Sequence, residues 1–441
     1  MSLPVDSSTF TGEVRRTVLD NGLTVLTREL HASPIVTSMI WYRVGSRNEE
    51  LGQTGKSHFL EHMLFKGTER FKKGEIDLLT LKNGGGNNAF TSHDFTAYYF
   101  NFASDRWDIA LDIESDRMVN CVFAPEEFEA EKKVVIEELR GGLDSPWGLL
   151  LQEVDATAYK VHPYRNPVIG WLQDVERATA EEQQAYYRKH YHPGNATLVL
   201  SGDFETDRVL EQVAQKFSSL PSRPAQAPIT TVEPNQRGEK RVQVAWRSKV
   251  PRLAIAYHVP AIAHPDTYAL QVLNLILTEG KTSRLYQRLV EREQSVTFVS
   301  ADFGESKDPT LFHFRAEARG EHTAEEIEAS LYAEMHRVAH EGVTKQELDR
   351  AKHQVEAHFV LSRERSVDQA MLFGQIESLY GIEYIDTYLE KISAVTSDDV
   401  LSVCSRYLTE KNRTVGYLVP DGNADTDEDA EEGGEVADES F

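Results

Sequence analysis

The chain has 441 residues, 40% hydrophobic and 27% charged, which is an ordinary globular composition with room for two large domains. Its net charge of −24 argues against nucleic acid and anionic membrane as partners, and no apolar run is long enough to span a bilayer. Two cysteines, Cys121 and Cys404, cannot build a disulfide framework, and the opening MSLPVDSSTFTGEV has no secretory pattern, so a reducing, cytoplasmic setting is expected. Ten of the acids lie in Asp421–Phe441, which holds no base, so the remainder carries −14. That segment reads as a solvated, disordered tail.

In chain order, Glu13–Glu29 alternates apolar and polar residues around Asn21-Gly22, a hairpin signature. A second strand is expected over Ile35–Val44, then a loop, then a helix that contains His58-Phe59-Leu60-Glu61-His62. At 100° per residue, with His58 at 0°, Glu61 falls at about 300° and His62 at about 40°. Phe59, Leu60, Met63 and Leu64 fall between about 100° and 240°, on the other face. Two imidazoles can therefore grip one metal while the carboxylate beside them holds a water. The bland alternative is an amphipathic helix with solvated His and Glu. By composition a chance H-x-x-E-H is expected at most about 0.08 times in this chain, so the motif is informative.

Gly84–Asn88 is a turn into Ala89–Phe102, a Thr-, Tyr- and Phe-rich strand or hairpin. Ser104 can cap the next helix, through Asn120, and Pro125-Glu126 opens another that should stop at Gly141-Gly142. Residues 147–191 read as helical with a break at His162–Pro167, Ala196–Ser201 as a buried strand, and a helix ends near Leu220. Pro221–Gly238 has linker composition. Beyond it the pattern repeats faintly. Leu253–His258 answers Ile35–Val44, Leu311–Ala316 answers Tyr98–Phe102, and Glu347–Lys352 echoes Glu127–Lys132. The copy has no H-x-x-E-H, and Ala351 stands where Glu131 does, so only the first half can hold a metal.

A catalytic zinc usually takes three protein ligands and one open position. The helix Pro125–Arg140 offers Glu131, Glu137 and Glu138. Glu131 and Glu138 share the face that carries Val134 and Val135, whereas Glu137 lies about 120° away from Glu131. Acids on such a face need a partner, which could equally be Arg or Lys. Gly280-Lys281-Thr282-Ser283 resembles the end of a phosphate loop, but Leu275 stands where the first glycine belongs. His190-Tyr191-His192 reads as structural.

The stretches GKSHFLEHMLFKGT (Gly55–Thr68), GGGNNAFTSHDFTAYYF (Gly84–Phe100) and EKKVVIEEL (Glu131–Leu139) together resemble the pitrilysin/insulysin family of zinc metallopeptidases. The branch is that of mitochondrial processing peptidase and its bacterial relatives. His162–Trp171, Tyr191–Phe204 and Ser283–Glu291 extend the likeness over nearly the whole chain. The resemblance implies an α+β fold of two homologous α/β halves that face each other. Each would be a mixed, largely antiparallel sheet with helices packed on one side. A zinc-binding catalytic domain over 1–220, a linker over 221–239, a metal-free copy over 240–420 and the tail over 421–441 follow.

The resemblance also implies one zinc ion held by His58, His62 and Glu138, with Glu61 as general base. Glu131 would orient a metal-binding histidine. Asn88, Ala89, Phe90 and Thr91 would form an edge strand to which peptide substrates add. Complete relatives carry an Arg and a Tyr in the second half that polarise the substrate carbonyl. Here Val290 and Thr297 occupy those places, with Arg288 and Arg292 nearby. The expectation is a zinc endopeptidase acting as the catalytic subunit of a heterodimer, its partner a paralogue with the Arg/Tyr pair, or otherwise a homodimer. A non-catalytic assembly or peptide-binding subunit is the alternative.

Overall fold

A computed structural model describes residues 14–421 except 225 and 249. Apart from Asp421, the acidic tail lies outside the described residues, as does Glu13. The first half runs β1 (Val14–Val18), β2 (Thr24–Glu29), β3 (Ile35–Tyr42), α1 (Lys56–Met63), α2 (Glu75–Lys82), β4 (Gly86–Thr91) and β5 (Thr96–Ala103). It continues with α3 (Asp108–Asn120), α4 (Pro125–Leu143), α5 (Pro146–Ala158), α6 (Leu172–Arg177), α7 (Ala180–His190), β6 (Ala196–Gly202) and α8 (Thr206–Phe217). The second half comprises β7 (Lys240–Trp246), β8 (Arg252–Val259), α9 (Asp266–Thr278), β9 (Val296–Phe303), β10 (Thr310–Ala318) and α10 (Ala324–Glu341). Then come α11 (Lys345–Leu361), α12 (Ser366–Leu379), α13 (Tyr384–Ala394), α14 (Ser397–Tyr407) and β11 (Arg413–Pro420).

Two sheets result, ordered β1-β2-β6-β3-β5-β4 and β7-β11-β8-β10-β9. Without β1 the two orders correspond strand for strand. Each starts with one parallel pair, β2 with β6 and β7 with β11, and every later pairing is antiparallel. The repeat read from the sequence is therefore a repeat of topology.

Two local expectations change. Ser104 does not cap α3, which starts at Asp108 behind Trp107 with no side-chain cap; the Ser104 hydroxyl bonds Asp203 instead. Helix α4 runs through Gly141-Gly142 to Leu143, and neither glycine takes the positive φ that marks a glycine helix stop. Ser145, with Pro146 at the first helical position, then caps α5 through the amide of Gly148.

The chain forms two compact units that are not contiguous in sequence. One contains the described residues of Met1–Arg140, Asn166–Thr231 and Ala357–Glu390; the other contains those of Gly141–Arg165, Val232–Glu356 and Lys391–Phe441. A linear split at 221–239 does not anticipate these exchanged segments. In the first unit α1 and α3 lie on one face of the sheet, where Arg117 sits 4.3 Å from the Tyr98 ring centroid. Helix α12 covers the other face: Thr37 and Ser366 hydroxyls bond at 2.9 Å, and Gly374 lies against Trp41. In the second unit α10 covers one face through Tyr257 and Met335, while α5 lays Leu150, Val154 and Ala158 on Ala254, Ala256 and Leu418 of the other. Among the described residues no helix is long and apolar enough to cross a membrane.

Candidate metal centre

The site lies within the first unit. Helix α1 buries Phe59, Leu60 and Met63, which leaves His58, Glu61 and His62 on its accessible face, as the residue spacing predicts. Its amino end is fixed from below. The buried Glu49 carboxylate accepts from the amides of Gly55 and Ser57, both at 2.7 Å, and burial pushes its pKa up to about 8. Gln183 donates to the Lys56 carbonyl, and Ser57 pairs with the Tyr186 hydroxyl. Gly55 takes φ 85°, and a Cβ there would meet the Ile169 carbonyl oxygen at 2.4 Å, so glycine is required at this turn.

Helix α4 brings the acids. Glu138 Oε1 lies 3.5 Å from His58 Nε2, and Glu138 Oε2 lies 3.3 Å from His62 Nε2. His58, His62 and Glu138 are grouped with ligand atoms all within 4.8 Å of one another. Bonds of about 2.0–2.1 Å to a tetrahedral zinc place neighbouring donors about 3.3–3.4 Å apart, so the two carboxylate–imidazole separations suit such an ion. Glu137 is 70% exposed and pairs with Arg140 at 2.6 Å, pointing away. Helical phase, which left Glu131 and Glu138 both open, here separates them by task.

Glu131 is buried and accepts from His62 Nδ1 at 2.9 Å and from Lys66 Nζ at 2.5 Å. It thereby directs His62 Nε2 toward Glu138. Burial opposes ionisation of Glu131, but its bonds to His62 and Lys66 outweigh that and lower its pKa. Burial likewise pulls His62 down, while Glu131 and Glu138 push it up to about 9. Glu138 is held well below the usual carboxylate range by its bonds to His58 and His62. The cluster is thus two imidazoles balanced by two carboxylates, and a divalent cation would replace protons there. His58 Nδ1, in contrast, is buried without a hydrogen-bond partner.

Glu61 belongs to neither group. Burial raises its pKa, against the lowering effects of a 2.6 Å bond from the Thr91 hydroxyl and of the two histidines. Asn88, Ala89, Phe90 and Thr91 lie on β4, the edge of the sheet beside α1. Phe90 turns to the opposite face, 5.4 Å centroid to centroid from Trp41.

Sequence reading missed Lys66, Glu49 and the side chain of Thr91. Lys66 follows His62 by four residues, a spacing that could have flagged it. Glu49 and Thr91 reach α1 only through the fold. His190 and His192 are both buried, and burial pushes His190 down to about 4, as suits a neutral structural ring.

The second unit holds no such cluster among the described residues. Val290 is half-buried, and exposed Thr297 donates to Glu317 at 3.0 Å. Arg288 pairs with Glu293 at 2.7 Å and approaches Glu334 at 3.6 Å.

A duplicated α+β fold with an H-x-x-E-H helix in one half defines the class, and comparison with known proteins gives the family. Residues 24–171 match the profile described as "Insulinase (Peptidase family M16)", and residues 177–355 match "Peptidase M16 inactive domain". The chain is 30% identical over 413 residues to the Helicobacter pylori protein named "Zinc protease PqqE", covering 91% of this chain and 92% of that one. It is 27% identical over 422 residues to an Arabidopsis thaliana protein named "Probable mitochondrial-processing peptidase subunit beta", covering 92% and 78%. A crystal structure of a protease from Helicobacter pylori superimposes with a TM-score of 0.89 at 30% identity, over 92% of this chain and 99% of that chain. The chain belongs to the M16 peptidase family.

Proposed function

We propose that this chain is a zinc-dependent endopeptidase that cleaves peptides or unfolded polypeptide segments, acting as the catalytic subunit of a heterodimer. The observation that carries the reading is the convergence of His58, His62 and Glu138 at separations that suit one tetrahedral ion. These three side chains would hold the metal, and Glu131 fixes the ring of His62. Bound zinc supplies Lewis acidity toward the scissile carbonyl and makes a water acidic enough to react at neutral pH. Glu61 takes a proton from the attacking water and returns it to the departing amine, a role its raised pKa suits. The main chain of Asn88, Ala89, Phe90 and Thr91 at the sheet edge offers pairing to an extended substrate, which fits loose side-chain selectivity.

Val290 and Thr297 supply neither a cation nor a phenol for a developing oxyanion, so a paralogous subunit provides them. The test is metal content and peptide turnover of the purified chain, alone and mixed with candidate paralogues. Zinc at one per chain, weak hydrolysis alone and an increase of about 10²–10³ with a partner bearing Arg and Tyr is the expected result. A homodimer as fast as any mixture removes the heterodimer. A chain that binds peptide but neither zinc nor cuts it is the non-catalytic subunit of the alternative reading.

A further inference from the structure

One hydrogen bond joins the edge strand to the base. Thr91, the last residue of β4, donates its hydroxyl to Glu61 Oε2 at 2.6 Å. Its other polar neighbour, Thr96 Oγ1, is 3.4 Å away and donates its own proton to the Val44 carbonyl at 2.9 Å. A threonine has a single hydroxyl proton, and the shorter bond to a carboxylate claims it. We propose that Thr91 is a positioning residue for Glu61, tying the orientation of the base to the strand that receives substrate. The proposal rests on the reading of Glu61 as the general base.

Strand alternation gives the geometry. Phe90 packs toward Trp41 on one face, so Thr91 projects from the other, toward α1. Its side chain is turned away from the free edge, and only its main chain is offered to a substrate strand. A glutamate's terminal torsion is broad and roughly two-fold, so an untethered Glu61 would present its oxygens in several directions. A β-branched side chain in a strand is stiff at χ1, which makes Thr91 a rigid anchor. With Oε2 held, the second carboxylate oxygen of Glu61 is left for the water. A substrate strand paired with β4 would restrain the Thr91 backbone, and through the hydroxyl it would restrain the base. Substrate binding and base alignment are then one event.

The experiment compares Thr91→Val, which keeps shape and removes the hydroxyl, with Thr91→Ser, which keeps the hydroxyl. Turnover of an unstructured Lys/Arg-rich fluorogenic peptide is measured in whichever assembly of the full chain is active. Zinc content and binding of the labelled peptide to metal-free protein are measured alongside. Thr91→Val should lower kcat about 10- to 100-fold with KM, zinc content and peptide binding unchanged, and Thr91→Ser should recover most of the loss. On a Glu61→Gln background Thr91→Val should cost nothing further. Weakened peptide binding with intact kcat would make Thr91 a substrate contact and overturn the proposal. Equal losses in the Val and Ser variants, or full additivity with Glu61→Gln, would also overturn it. Wild-type protein that holds zinc yet cleaves nothing in any assembly would instead refute Glu61 as base, and the proposal with it.

Discussion

The two units share one topology and diverge in chemistry, and helices at matching places show how. After the third strand of the first unit comes α1, which buries one apolar face and leaves His58, Glu61 and His62 accessible. After β8 of the second unit comes α9, in which Tyr268, Ala269, Leu270, Val272, Leu273, Ile276 and Leu277 are all buried. Helices α4 and α11 differ likewise: Glu131 is replaced by the buried Ala351, against which no charge needs a partner. The first unit keeps the buried Glu131 and the exposed Glu138, each compensated by histidines or Lys66, and a metal would draw on that arrangement. The second has only the methyl group of Ala351 at the place of Glu131 and a mostly apolar buried face on α9. One fold therefore tolerates both a cluster of imidazoles and carboxylates and a plain core, because the strands and not the α1 position carry the architecture.

The comparison breaks most sharply at the metal. His62→Ala should leave folded protein with background zinc and no measurable turnover, read by elemental analysis and peptide assay on one sample. Glu138→Gln should weaken zinc strongly while Glu137→Gln changes nothing; the reverse would exchange their roles. His358→Ala, at the place that the echo of Glu127–Lys132 in Glu347–Lys352 matches to Glu138, should leave zinc content untouched. A smaller effect separates holding metal from using it. Glu61→Gln should keep full zinc and lose about 10²–10⁴ in turnover, and substantial remaining activity would show that another group moves the proton.

The smallest expected effects concern the exchanged helices, where the two units solve the same contact in opposite ways. In the first unit the small residue is on the helix: a Cβ on Gly374 would lie 1.9 Å from Trp41 Nε1. In the second it is on the strand: a Cβ on Gly416 would lie 2.3 Å from Val154 Cγ2. Gly374→Ala and Gly416→Ala should each destabilise by about 1–3 kcal/mol through overpacking, measured by denaturant unfolding. The Gly374 variant should lose more, because the buried Trp41 ring has fewer ways to give than a valine methyl. An unchanged midpoint in either would mean the helix shifts freely on its sheet.

Much of the fold could be read from local pattern. The Asn21-Gly22 hairpin, strand β3, the buried β6 and the echo of the first half in the second all follow from alternation, turn chemistry and spacing, which act between neighbours in sequence. The two-faced character of α1 also follows, since 100° per residue fixes which side chains share a face. Helix ends were less legible. Ser104 offered a cap that Asp203 takes for another purpose, and Gly141-Gly142 offered a stop, yet neither takes the positive φ such a stop needs.

What the sequence by itself determined is the set of groups able to do chemistry: two histidines and a glutamate on one helix face, with three further acids on a second helix. Only the tertiary structure decided among those acids, because Glu131, Glu137 and Glu138 differ in partner and not in kind. Packing α4 against α1 puts Glu138 at both Nε2 atoms and Glu131 at His62 Nδ1, and turns Glu137 toward Arg140. The exchange of α5 and α12 between units was equally invisible, since it depends on Ala254 and Ala256 making room for α5 in one sheet and on Gly374 making room for Trp41 in the other. Such fits join residues a hundred or more positions apart, so local spacing carries no trace of them. The bond from Thr91 to Glu61 is of the same kind: a hydroxyl on an edge strand acquires its role only when the sheet places it beside the helix.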